Sequence, residues 1–349
     1  KEKMPFFILS AVIAVMTIYS PAQYDPLNPP DLIPVSFVSR LANAPVAFVT
    51  YLGKTLCPYN MAVFYPFPDH IPVWKVIGAS LLIILITAAT VIMAKRRPYL
   101  FAGWLWFAVT IAPVIGIIQI SKSAPYAMAD RYHYLPSIGL AMMMAWGIPA
   151  LMKREDIGIK ILFPAGIIFL AVLSFLSWKQ CGYWKNHIEL FSHTLKVTKN
   201  NALAHNSIGQ ALYKKGNIEE ALNHYNEAIR IVPTYAEARV NRGNCFDETG
   251  RYQQAIDDFN EAIRLKPHFA MPYYNRGNAY RKLGQYQQAI SDYTEAIRLN
   301  PDYTEAYRNR AGVHLEHGNA QQGCSDARKA CELGLCDALS WAENKGICR

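Results

Sequence analysis

The chain has 349 residues, 52% hydrophobic and only 17% charged, with a formal net charge of +9. Up to Trp178 it carries 13 basic and 7 acidic residues and nearly all the long apolar runs, and from Lys179 onward 22 and 19. The uneven texture excludes a single soluble globule, and basic residues that never gather on one periodic face exclude a nucleic-acid-binding role.

Five apolar runs are candidate membrane spans: residues 4–19, 73–94, 99–120, 133–152 and 157–178. A hydrocarbon core takes about 20 apolar residues to cross; four runs reach that length and the first is short. A sixth run, 35–56, is interrupted by Arg40 and Lys54 and reads as an interfacial or re-entrant helix. Lys1 and Lys3 precede the first run, Lys95-Arg96-Arg97 separate the second and third, and Lys153-Arg154 separate the fourth and fifth. The positive-inside rule puts these clusters on the cytoplasmic side, so that residues 20–70, 121–132 and everything after Trp178 face outward. Trp74, Trp104, Trp106, Trp146 and Trp178 stand near the proposed ends as interfacial anchors. A cleavable signal peptide ending at Ser20-Pro21-Ala22 is the other reading of the first run, and it leaves the outer side unchanged.

Two outer segments stand out. The first, 51–68, is rich in aromatics and prolines and reads as an ordered loop without evident chemistry. The second, 127–136, brings Asp130, Arg131 and His133 to the mouth of a span. Charges there are costly and point to function, and a guanidinium at Arg131 suits bidentate binding of a lipid phosphate. The plainer reading is a local Asp130–Arg131 pair capping the helix.

The second half is set by self-similarity. Pro233, Pro267 and Pro301 recur every 34 residues, the tetratricopeptide (TPR) period. In the same register stand Gly209, Gly243 and Gly277, then turn glycines at Gly216, Gly250, Gly284 and Gly318. Next come Ala221, Ala255 and Ala289, and aromatics at Tyr225, Phe259 and Tyr293. Antiparallel helices approach closely where side chains are small, and the aromatic fills the groove beside them. A degenerate half-repeat with Tyr183-Trp184-Lys185-Asn186 precedes the array. The unit from Thr304 drifts, with Ala311 for glycine and Gly323 for alanine, and serves as a cap. The expected fold class is all-α: polytopic transmembrane helices over 1–178, a linker over 179–201, a TPR solenoid over 202–335 and a cysteine-containing cap over 336–349.

The sixth residue of each unit faces the concave surface: Ser207, Asn241, Asn275 and Asn309. A carboxamide both donates and accepts, so Asn241, Asn275 and Asn309, joined by Asn244 and Asn278, read as a sequence-tolerant clamp for an extended protein or peptide ligand. Asparagine is also common there in arrays of any ligand. Arg242, Arg276 and Arg310 replace the usual leucine; their stems are expected to cover the helix contact with the heads in water, the other reading being an arginine ladder for acidic partners.

Cys324, Cys331, Cys336 and Cys348 crowd the tail. An outer, oxidising compartment favours disulfides. Cys324 and Cys331 are too far apart on one helix to bond each other, which leaves Cys324–Cys336 with Cys331–Cys348, or Cys324–Cys348 with Cys331–Cys336. A four-thiolate zinc site is disfavoured because no close Cys-x-x-Cys pair exists. Cys57, Cys181 and Cys245 read as isolated. No metal ligands are expected, and the repeat half holds no nucleophile elbow, phosphate loop or histidine pair.

The motifs PFFILSA (5–11), YLGKTLCPYNMAVFYPFP (51–68), RPYLFAGWLWF (97–107), APVIGIIQI (112–120), MADRYHYLPSIGL (128–140) and YWKN…LF (183–191) together resemble bacterial membrane TPR proteins. These are similar in turn to the eukaryotic transmembrane-and-TPR protein O-mannosyltransferases, and the resemblance covers essentially the whole chain. It implies the polytopic GT-C glycosyltransferase fold, a polyprenyl-phosphate sugar donor near Arg131 and His133, and TPRs that present acceptor proteins. It also implies a multi-pass protein among the lipids of the bacterial inner membrane, with its repeats in the periplasm. The family's acidic motif in the first outer loop has no counterpart; Asp25 and Asp31 are single. The chain therefore reads as a C-terminal portion whose catalytic acid, and any divalent metal it binds, would lie upstream, with no cofactor evident in these residues. The alternative is a non-catalytic membrane-tethered TPR scaffold.

Overall fold

The computed structural model describes residues 36–68, 70–115, 126–130, 134–151 and 163–348. The chain divides into two compact units, Lys1–Ser207 and Ile208–Arg349.

In the first unit, α1 (Phe37–Leu56) starts at Ser36, whose Oγ accepts the Ser39 N–H at 3.1 Å, a standard N-cap. Helix α2 (Val73–Met93) follows Pro72, and α3 (Pro98–Ile111) opens on a proline whose missing N–H costs nothing there. The 99–120 run is a shorter helix than expected. After Ile111 it tightens into a 3-10 turn, Ala112–Val114, around Pro113, which cannot donate a helical hydrogen bond. Helices α4 (Tyr134–Leu151), α5 (Phe163–Cys181) and α6 (His187–Val197) complete the unit. Asn186 caps α6 by accepting the Glu189 N–H at 2.9 Å. Two short strands, β1 (Tyr65–Pro66) and β2 (Tyr126–Met128), pair antiparallel.

Gly103 on α3 and Gly139 on α4 let those helices meet backbone to backbone, since a Cβ on either would overlap the other's carbonyl oxygen. Around that crossing Tyr51, Phe48, Trp104, Phe107 and Ile111 form the core. Phe48 meets Trp104 and Phe107 edge to face at 5.5 and 5.2 Å. Outside the core the apolar surface is bare: Leu85 on α2 is 66% exposed and Leu170 on α5 63%. Among the described residues two helices, Val73–Met93 and Pro164–Lys185, are long and apolar enough to cross a membrane by length and composition. The 4–19 run and Lys153-Arg154 lie outside the described residues.

The repeats are helical hairpins: α7 (Ala202–Lys214) with α8 (Ile218–Ile231), α9 (Ala236–Glu248) with α10 (Tyr252–Leu265), and α11 (Ala270–Lys282) with α12 (Tyr286–Leu299). A fourth pair, α13 (Thr304–Glu316) and α14 (Ala320–Glu332), precedes a terminal α15 (Asp337–Asn344). Each hairpin turns at a glycine with φ of 75° to 81°, Gly216, Gly250, Gly284 or Gly318, a conformation that strains any side chain with a Cβ. At the crossings, a Cβ on Gly209, Gly243 or Gly277 would lie 2.6 to 2.8 Å from the ring of Tyr225, Phe259 or Tyr293. In the fourth pair the roles are exchanged: Gly323 makes room for Leu315, beside a fully buried Ala311.

The arginine expectation is corrected. Arg242, Arg276 and Arg310 do not send their heads to water. Each grips one aspartate on the second helix of its own hairpin through Nε and Nη2: Asp258 at 2.8 and 2.6 Å, Asp292 at 2.8 and 2.7 Å, Asp326 at 2.7 and 2.7 Å. The remaining Nη1 reaches the preceding hairpin, at Asn226 (2.7 Å), Asn260 (2.5 Å) and Thr294 (2.8 Å). One guanidinium thus joins three helices of two repeats, and an aspartate needs that planar fork rather than water. The first hairpin has Ile208 and His224 at the corresponding positions and no such clamp.

Cys324 is bonded to Cys348 and Cys331 to Cys336, with Cα separations of 5.6 and 4.0 Å. Cys348 therefore closes over Leu315, Leu339 and Ala342 as the lid of a small terminal core. The zinc alternative loses its thiolates to these bonds.

Replacing Asp292 by Ala leaves a guanidinium without its carboxylate, and we expect about 2–3 kcal/mol to be lost from urea unfolding of the array. Replacing Arg276 and Asp292 together by Leu should cost less than the single change. Reductant should destabilise the cap: the 24-residue closure of Cys324–Cys348 is worth about 3 kcal/mol, so hydrogen exchange should rise over Asp337–Asn344 before it rises over Tyr252–Leu265.

Candidate functional site

Within the second unit the first helices of successive hairpins, α9, α11 and α13, stack side by side as a wall. The asparagines of that wall are half-buried and joined to one another. Asn275 donates from Nδ2 to Asn244 Oδ1 at 2.8 Å, and one repeat later Asn309 donates to Asn278 Oδ1, also at 2.8 Å. Asn309 further donates to Tyr274 Oη at 3.1 Å, and the buried Tyr293 hydroxyl donates to Asn278 Oδ1 at 2.7 Å. Asn241 stands half-buried at the same position of the preceding repeat.

These bonds fix which way each amide faces. Asn275 spends one N–H on the neighbouring repeat and Asn309 spends both, while Asn244 accepts once with Oδ1 and Asn278 twice. Each carboxamide has two donors and two acceptor lone pairs, so the two types are left with complementary capacity. Ion pairs stand near these asparagines, and Arg281 is exposed beside them. Lys266 pairs with Glu237 at 2.8 Å, Lys282 with Asp247 at 2.7 Å and Arg308 with Asp337 at 3.6 Å. Behind the wall Tyr274 packs on Tyr303 with ring centroids 4.9 Å apart. Burial raises the Cys245 thiol to about 12, an inert packing residue. His314, buried at the end of α13, is held below its usual pKa by desolvation.

The first unit holds a second polar cluster. The Asp130 carboxylate, 6% exposed, accepts from the Tyr65 hydroxyl and the Ala62 N–H, each at 2.7 Å, and from Lys54 Nζ at 3.2 Å. Lys54 also bonds the Tyr65 hydroxyl and, at 3.1 Å, the Asn60 carbonyl. Next to it, the Tyr51 hydroxyl lies 2.9 Å from both N and O of Ala129. Desolvation, with the nearby carboxylate, raises the Tyr65 pKa and keeps it a donor. Asp130 thus forms an ion pair with Lys54, 76 residues away. Loop 51–68, taken to be without chemistry, supplies three of the partners. Arg131 and His133 lie outside the described residues.

Sequence reasoning missed the clamps, although Asp258, Asp292 and Asp326 recur at the same 34-residue period as the arginines. It also missed the Lys54–Asp130 pair, which only the pairing of β1 with β2 brings together. Among the described residues no three His, Cys, Asp or Glu side chains cluster so as to hold a metal ion.

The tetratricopeptide repeat family matches residues 270–303, and a related TPR repeat family matches 209–249 and 244–284. Among curated proteins the chain is similar to protein O-mannosyl-transferase Tmtc3 of Drosophila melanogaster, 26% identical over 138 residues, which cover 39% of this chain and 14% of that protein. It is also similar to protein O-mannosyl-transferase F38B6.6 of Caenorhabditis elegans, 27% over 136 residues, 37% of this chain and 19% of that one. For protein O-mannosyl-transferase TMTC1 of Homo sapiens the figures are 25% over 129 residues, 37% and 15%. The matches therefore span less than a fifth of the length of these relatives. Among solved structures, MamA is 24% identical with a TM-score of 0.40, covering 44% of this chain and 91% of that one. YrrB, described as a TPR protein with an unusual peptide-binding site, is 24% identical at 0.38, covering 42% and 76%.

Proposed function

We propose, taking the chain as a TPR protein related to the TMTC O-mannosyltransferases, that it is the C-terminal part of a membrane glycosyltransferase whose repeats hold the acceptor protein. The donor on this reading is a polyprenyl-phosphate sugar, with Arg131 and His133 near its phosphate. The observation that carries the acceptor role is the wall of Asn241, Asn244, Asn275, Asn278 and Asn309. Four of these amides, Asn244, Asn275, Asn278 and Asn309, are oriented by bonds between repeats, with Asn244 and Asn278 keeping N–H groups, and Asn275 acceptor lone pairs, for a ligand backbone.

Three further features support the membrane and outward placement. Helices α2 and α5 bare apolar faces that water would not tolerate at that length. The basic clusters at 1–3, 95–97 and 153–154 fall on one side in a multi-pass topology. The two tail disulfides suit an oxidising compartment, the periplasm for a bacterial inner-membrane protein. The residue that activates the acceptor hydroxyl is not assigned to this chain. The runner-up, a membrane-tethered scaffold, shares the placement, lacks transfer and would hold a fixed partner.

The reading is tested in cells with the intact protein carrying a photo-cross-linking residue at Arg281, exposed beside the wall. Cross-links to envelope proteins are expected to fall at least tenfold when Asn275 and Asn309 are both changed to Ala, and the captured proteins should carry sugar. Sugar-free partners would leave the scaffold, and capture unchanged in the double variant would remove the wall as the binding surface. Arg131→Ala should abolish transfer without changing capture.

A further inference from the structure

The loop Cys57–Pro68 is irregular over most of its length, yet its backbone is bonded from two sides. Exposed loops leave such groups to water, and buried ones must find partners. On one side stands the Asp130 cluster. Lys54 Nζ donates to the Asn60 carbonyl at 3.1 Å, and the Tyr65 hydroxyl, whose one proton serves Asp130, lies 3.0 Å from it. The Ala62 N–H donates to the Asp130 carboxylate at 2.7 Å, while the Ala62 carbonyl accepts the Asp130 N–H at 3.4 Å. On the other side stand residues that lead into the repeats. Gln180 Nε2, at the end of α5, donates to the Met61 carbonyl at 3.2 Å, and Asn201 Nδ2 donates to the Phe64 carbonyl at 3.2 Å.

The carbonyls of Asn60, Met61, Ala62 and Phe64 therefore alternate between the two sides: cluster, α5, cluster, Asn201. Asn201 is 3% exposed and is fixed twice more, since its Oδ1 accepts the Ala204 N–H at 3.0 Å and caps α7, while Nδ2 also reaches Thr198 Oγ1 at 3.0 Å. Between these points α6 is pinned by His193, whose ring stacks on Tyr183 at 3.8 Å. A peptide unit is planar and stiff. Adjacent carbonyls held by different partners cannot move independently, because shifting one rotates the next peptide away from its donor.

We propose that loop Cys57–Pro68 is a relay that couples the Lys54–Tyr65–Asp130 cluster to α6 and Asn201, the segment on which the repeats begin. Coupling of this kind runs through a contiguous hydrogen-bonded chain and is reciprocal. Disturbing the cluster should loosen Asn201, and disturbing Asn201 should loosen Ala62. The relay stands whether or not the protein transfers sugar.

The test is amide hydrogen exchange of the full chain in detergent micelles. In Lys54→Met and in Asp130→Asn, exchange over residues 187–201 should rise at least tenfold, with 103–111 and 209–303 unchanged. Asn201→Ser keeps an N-cap oxygen for α7 but removes the donor to Phe64, and should raise exchange at residues 60–65 by a similar factor. Lys54→Met combined with Asn201→Ser should raise exchange by less than the product of the single effects, because one broken relay cannot be broken twice. Effects confined to the mutated side, effects that multiply independently, or a rise that includes 103–111 would each overturn the relay. If Asp130→Asn does not fold, Tyr65→Phe, which removes the hydroxyl that bonds Asp130, takes its place with the same expected and overturning results at 187–201.

Discussion

Backbone can approach backbone only where a side chain is missing, and both units are arranged around that constraint. In the first, Gly103 and Gly139 let α3 and α4 touch, and the aromatic core of Phe48, Trp104 and Phe107 packs around the contact. In the second, Gly209, Gly243 and Gly277 each make a socket for an aromatic ring from the facing helix. A socket of this kind sets the depth and angle of the crossing, because a ring fits only one way into a space without a Cβ. The terminal hairpin confirms the logic by inversion, since moving the missing side chain to Gly323 allows Leu315 to fill the gap from the other helix. With no ring to dominate that core, the cap relies on Cys324–Cys348 to close over it.

Close crossings bring charges inward as well, and a buried ion pair is tolerated when its remaining valences find partners. Asp258, Asp292 and Asp326 each receive both prongs of a guanidinium, whose third nitrogen is satisfied by the previous repeat. In the first unit a lysine, a phenol and a backbone N–H converge on one oxygen of Asp130, Oδ2. In the array the result is nearest-neighbour cohesion, since each arginine belongs to one repeat but bonds two. This is the coupling that lets a linear stack of small hairpins unfold as a unit.

Features written along one helix or at one fixed period were legible in the sequence; features made by distant segments were not. The 34-residue register gave the hairpins, the turn glycines and the asparagine positions, because a repeat prints the same contact several times. The arginines were read singly, against the leucine usual at that position, and so their aspartates sixteen residues on went unnoticed. Lys54 and Asp130 could not be paired, since their meeting depends on β1 finding β2 across some sixty residues that include two helices. The tail cysteines left two pairings open because spacing forbids only one bond. Pro113 stands in the 99–120 run, whose hydrophobicity outweighed it; α1 carries Pro45 inside its length, so a proline alone does not fix where a helix ends.

The character of the asparagine wall also bears on which of the two proposed roles fits it. A net hydrogen bond contributes about 1 kcal/mol, and the wall already commits part of its amide capacity to bonds between repeats. If four to six valences remain for a ligand backbone, the gross gain is about 4–6 kcal/mol, from which the ordering of a flexible peptide must be subtracted. Binding through the wall alone is then weak, in the range of about 1 mM or poorer. A scaffold that holds a fixed partner needs side-chain pockets and a longer residence. A surface that must take many acceptor chains, hold each briefly and release the product needs the reverse: backbone contacts, neutral amides and weak binding. Amides already turned toward one another between repeats resemble the second kind, which on the proposed reading favours acceptor presentation over scaffolding.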